Sequence, residues 1–147
     1  MTPAPAARAT GVRAALTLTH VAMGAVLLLP TWAMVSMRSP RLSAQALAAI
    51  ILLAVFPTWI VALGARVLAR PTPGVLRALR WTDAAALVLG LLLAAFGAWM
   101  LEMASRSSER GGGLLGALGF VPLIFGGVVA GLATLSLWLV RVLRRAG

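Results

Sequence analysis

Four long apolar runs, separated by short polar segments, organise this chain. They extend over about residues 14–37, 42–65, 84–101 and 114–140. Each is close to the ~20 residues that a helix needs to cross the hydrocarbon core of a bilayer. None contains Arg, Asp or Glu, and one ionisable side chain, His20, falls inside a run. The pattern predicts an all-α protein: a single integral membrane domain over residues 1–147, built as a four-transmembrane-helix bundle. The Pro- and Ala-rich segment 1–11 is expected to be a disordered tail. The first run is longer than the ~7–15-residue apolar core of a signal peptide, has no small-residue cleavage site and precedes three further runs. It therefore reads as a span.

The connections are short. Arg38-Ser39-Pro40-Arg41 predicts a tight hairpin, which makes the first two helices antiparallel neighbours. Pro71-Thr72-Pro73-Gly74 predicts a helix stop and turn. Residues 105–113 are polar and then Gly-rich. No connection is large enough to fold as a domain.

Composition supports the lipid reading. The chain is 61% hydrophobic with a mean hydropathy of +1.00, against roughly 45–50% apolar residues in ordinary globular proteins. A chain of 147 residues cannot turn so much apolar surface inward. All basic residues are arginine, and Lys, Asn, Tyr and Cys are absent. That usage fits a GC-rich bacterial genome, and with it a multi-pass protein of the bacterial cytoplasmic (inner) membrane. Without cysteine there are no disulfides, thiolate metal sites or thiol nucleophiles.

Charge sets the expected orientation. A net charge of +10 in a soluble protein would suggest nucleic acid. Here the arginines sit at the ends of the apolar runs, where anionic headgroups lie, so membrane lipids are the expected partners and nucleic acid is not. Nine arginines (Arg8, Arg13, Arg66, Arg70, Arg77, Arg80, Arg141, Arg144, Arg145) fall on one side and four (Arg38, Arg41, Arg106, Arg110) on the other. The richer side is expected to be cytoplasmic, with both termini inside. Tryptophan favours membrane interfaces. Trp32 and Trp99 fall near the outer ends of their runs, and Trp59, Trp81 and Trp138 toward the inner ends; these are the expected interface anchors.

Small residues are the candidate packing surfaces, because helices in lipid associate through close backbone approach. Ala86, Gly90, Ala94 and Ala98 recur every fourth position, and Gly127 and Gly131 form a GxxxG beside Gly126, Ala130 and Thr134. These stripes either join helices three and four within the bundle or dock another transmembrane protein. Pro30 and Pro57, each in a Pro-Thr-Trp tripeptide, lie inside spans and free the carbonyls of Val26 and Leu53. They predict tolerated kinks or the walls of a cavity.

His20 is the foremost candidate site, since ionisable residues within a membrane are functional candidates. Gly24, one turn later, leaves room for a flat macrocycle such as haem or bacteriochlorophyll beside the imidazole. The competing expectation is a neutral histidine hydrogen-bonded to a threonine or a carbonyl near the inner leaflet. With one histidine in the chain, bis-histidine haem ligation is excluded. Asp83 is expected to open the third helix as a cap, or to pair with Arg80 or with a basic residue at a neighbouring helix end. Glu102 and Arg106 form an i,i+4 pair.

Catalysis lacks parts: no second histidine, no paired carboxylates and no phosphate-binding loop after a strand. A proton-coupled exporter needs an embedded carboxylate, which is not expected at mid-depth here. A channel would show polar stripes. By elimination, the sequence points to a non-catalytic accessory or structural subunit of a larger respiratory or photosynthetic electron-transfer complex. Other transmembrane subunits are its expected partners. A pigment- or haem-binding protein using His20, and a small transporter or channel subunit, are the alternatives.

Overall fold

A computed structural model describes residues 5–36, 44–106 and 112–146. The described residues form four helices: α1 (Pro5–Ser36), α2 (Ala44–Ala69), α3 (Pro73–Arg106) and α4 (Gly112–Ala146). Stretches in three of them, Ala9–Pro30, Pro73–Arg106 and Leu118–Arg145, are long and apolar enough to cross a membrane. The corresponding stretch of α2, Ala54–Ala69, is shorter. The exposed surface carries Leu91, Leu92, Phe96, Val121 and Ile124. Contiguous apolar surface of that kind belongs in lipid, and the chain has the character of a membrane protein.

Each helix packs against its neighbours in sequence, and α4 closes the ring against α1. Contacting residues give the directions. Gly24 meets Pro57 and Val61 while Gly64 meets Thr17 and His20, so α1 and α2 are antiparallel. Gly90 meets Gly126 and Ala130 while Gly97 meets Gly119 and Leu123, so α3 and α4 are antiparallel too.

The α3–α4 seam is the tightest. A Cβ on Gly90 would stand 2.7 Å from the Ala130 nitrogen, and one on Gly97 2.6 Å from the Gly119 oxygen. A Cβ on Gly126 would collide with Ala94 N and Gly90 O. Glycines seven apart on each helix thus let the two backbones touch.

The interior is layered. One apolar cluster gathers Leu16, Leu63, Val67, Leu79, Leu139, Val140 and Leu143; another gathers Met23, Leu27, Ile60, Ala86, Val129 and Ala133. Between them, one turn from each, lies a polar layer.

Two expectations are corrected here. The third helix begins at Pro73, not near residue 84, because hydropathy falls at Arg77, Arg80 and Asp83 while helical hydrogen bonding continues through them. Pro73 suits the first helical position, where no N–H is needed, and the Thr72 hydroxyl accepts from Val75 N. Likewise α1 begins at Pro5, inside the segment expected to be disordered. The Arg38–Arg41 hairpin lies outside the described residues.

Candidate functional site

The polar layer is made by His20 of α1, Asp83 of α3 and Ser136 of α4, each 0% exposed. Helical spacing brings them together. Leu16, His20 and Met23 follow one face of α1; Leu79, Asp83 and Ala86 follow one face of α3; Ala133, Ser136 and Val140 follow one face of α4. Steps of three and four residues keep each set facing the bundle axis.

His20 Nδ1 lies 2.8 Å from the carbonyl oxygen of Leu16. A carbonyl only accepts, so Nδ1 carries a hydrogen and donates it. Nε2 lies 3.0 Å from Asp83 Oδ1. A bare nitrogen lone pair facing a carboxylate oxygen would be repulsive, so this contact holds one proton, either on the imidazole or on the carboxyl. In both forms the pair is neutral overall. Ser136 Oγ donates to Asp83 Oδ2 at 2.5 Å and stands 3.4 Å from His20 Nε2. Every polar side-chain atom of the cluster therefore has a partner, as burial requires.

Around this layer the backbone approaches closely. A Cβ on Gly64 would stand 2.7 Å from His20 Cβ, so glycine there lets α2 close over the histidine. The Thr17 hydroxyl donates toward the carbonyls of Gly64 and Arg13, at 2.9 and 3.0 Å. Trp59 Nε1 donates to Thr82 Oγ1 at 3.3 Å.

Asp83 is thus corrected from a helix cap to a buried member of the core, deep inside α3. The signal was its register: it shares the inward face of Leu79 and Ala86. Gly24 is buried as well, but its open side is filled by Val61 and the Pro57 carbonyl. Both His20 ring nitrogens are engaged by protein, so a metallated macrocycle would have to displace Leu16 or Asp83.

Of the packing stripe, Ala86 and Gly90 are buried against α4, Ala94 is half-buried and Ala98 is exposed. Gly127 and Gly131 point away from the bundle, with nothing within 4 Å of a Cβ at either. The inner face of α4 is built instead from Gly119, Gly126 and Ala130. All five tryptophans, Trp32, Trp59, Trp81, Trp99 and Trp138, are exposed. Glu102 and Arg106 pair at 2.5 Å on the surface.

Two cavities flank this arrangement. The larger, about 530 Å³, is lined by residues from all four helices, among them Leu27, Phe56, Leu93 and Phe125. Pro30, Pro57 and Pro122 converge on it from three helices, each removing one helical N–H donor. The other, about 460 Å³, lies between α3 and α4 and is lined by Arg77, Arg80, Trp81, Ala84 and Leu137. Neither touches His20, Asp83 or Ser136. No protein-family model, curated protein or solved structure matches the chain.

Proposed function

We propose that this chain is a four-span protein of the bacterial inner membrane with both termini cytoplasmic, acting as a non-catalytic accessory subunit of a larger membrane assembly. The carrying observation is the closure of its polar interior. His20, Asp83 and Ser136 satisfy one another, are fully buried and border neither cavity described above. Such a cluster clips α1, α3 and α4 into one register. It offers nothing to a substrate. The membrane setting is supported by the tryptophans: Trp81 and Trp99, on one helix, lie about 27 Å apart at 1.5 Å per residue, close to the ~30 Å hydrocarbon thickness. The arginine-rich end, with nine of the thirteen, is the cytoplasmic one. Electron-transfer complexes, respiratory or photosynthetic, are the hosts this reading favours.

Gentle solubilisation of native membranes and a native gel test it. The chain is expected in a large complex, with co-purifying transmembrane subunits. Recovery as a lone monomer in the mildest detergent refutes the accessory role.

A second reading rests on the proton held between His20 and Asp83. Intramembrane His–Asp pairs serve as proton relays, and Asp83 is a buried carboxylate, about 3 Å along α3 from the interfacial Trp81 at 1.5 Å per residue. It predicts proton flux in liposomes that Asp83→Asn abolishes. An accessory subunit gives no flux with either protein. The haem or pigment alternative predicts visible absorbance that His20→Ala removes.

A further inference from the structure

Arg77, Arg80, Trp81 and Ala84 recur at steps of three and four along α3, so they share one outward face. Leu137 of α4 completes a cleft of about 460 Å³ beside them. The same turns of α3 send Leu79, Thr82 and Asp83 inward. The cleft therefore has a cationic end, an indole and an apolar floor, in that order along the helix.

Among the described residues, no carboxylate pairs with the two guanidinium groups. The chain has three acidic residues. Asp83 is buried and bonded to His20 and Ser136. Glu102 pairs with Arg106, about 33 Å along α3 from Arg80 at 1.5 Å per residue. Glu109 follows the far end of the same helix in sequence. Among the described residues, accordingly, no side chain is the counter-ion of this cleft. Arginine presents a planar fork that matches phosphate oxygens, and Trp81, 73% exposed, is the residue type that prefers the headgroup level.

We infer that the α3–α4 cleft binds one anionic phospholipid, its phosphate held by Arg77 and Arg80, its glycerol region against Trp81 and an acyl chain over Ala84 and Leu137. This rests on the membrane reading above. A free phosphate compound would use the same arginines but leave the apolar floor uncovered.

Native mass spectrometry of the detergent-solubilised full chain tests the site, with added phosphatidylglycerol, phosphatidylcholine or inorganic phosphate. One phosphatidylglycerol is expected to be retained at least tenfold better than phosphatidylcholine, and inorganic phosphate at millimolar concentration should not displace it. Arg77→Gln with Arg80→Gln should remove the preference. Arg66→Gln, which loses charge on α2 outside the cleft, should keep it, and unchanged helicity by circular dichroism would show that the variants remain folded. Equal retention of the two lipids, equal loss in Arg66→Gln, or displacement by phosphate would overturn the inference. Membrane flotation of the same proteins separates this from the wider reading: a chain that floats with vesicles but shows no lipid preference fails the site alone, and one that does not float fails both.

Discussion

Nε2 of His20 lies 3.0 Å from Oδ1 of Asp83, joining residues 63 apart in sequence. Their helices, α1 and α3, are not adjacent in the ring; they face each other across its centre. The pair, with Ser136, therefore ties the bundle across its diagonal, between two apolar layers that carry no directional information of their own.

Breaking that tie from one side should be costly. Asp83→Ala leaves His20 Nε2 and the Ser136 hydroxyl without their partner in a closed interior, and is expected to destabilise the bundle by about 1–3 kcal/mol for each polar group left unsatisfied. Ser136→Ala removes one hydrogen bond, for which membrane proteins show about 0.6–1.7 kcal/mol. His20→Leu with Asp83→Leu removes both polar groups and should lose much less than the sum of His20→Leu and Asp83→Leu made singly. Unfolding in detergent, read as a double-mutant cycle, decides this; strict additivity would mean that the two side chains are not coupled.

The glycines of α4 should behave oppositely according to the face they occupy. Gly126→Leu would drive a side chain into Ala94 and Gly90, and should dissociate α3 from α4 so that no stable monomer is recovered. Gly131→Leu meets open space and should leave the isolated bundle intact. If the outer face docks a partner, this second variant loses the large complex on a native gel while the monomer persists.

Gly64 and Gly11 offer a finer comparison. Alanine at Gly64 would press on His20 Cβ at 2.7 Å, and should cost about 1–3 kcal/mol by overpacking. Alanine at Gly11, also helical but with nothing within 4 Å, should stabilise by about 0.5–1 kcal/mol. Thermal melts of the two variants in one detergent should move in opposite directions.

Topology is open to direct labelling. Single cysteines placed at Ser39 and Ser108 should react with an impermeant thiol reagent from the periplasm, and one at Thr10 should not. The absence of native cysteine keeps the background clean. The reverse pattern would invert the protein.

The sequence by itself determined the helical class, the membrane character, the Glu102–Arg106 pair and the Ala86–Gly90 part of the small-residue stripe of α3, whose seam continues through Gly97 while Ala98 is exposed. Each follows from local composition or i,i+4 spacing, which the chain carries wherever it packs. Tertiary structure alone decided that Asp83 belongs to the core, that α4 turns Gly126 inward and Gly127 and Gly131 outward, and that Gly64 rather than Gly24 closes over the histidine. In an apolar helix every face is compatible with lipid, so hydropathy fixes no rotation about the axis. Rotation was set instead by where backbones can touch and where two buried polar side chains can satisfy each other, and both conditions depend on residues far apart in the chain.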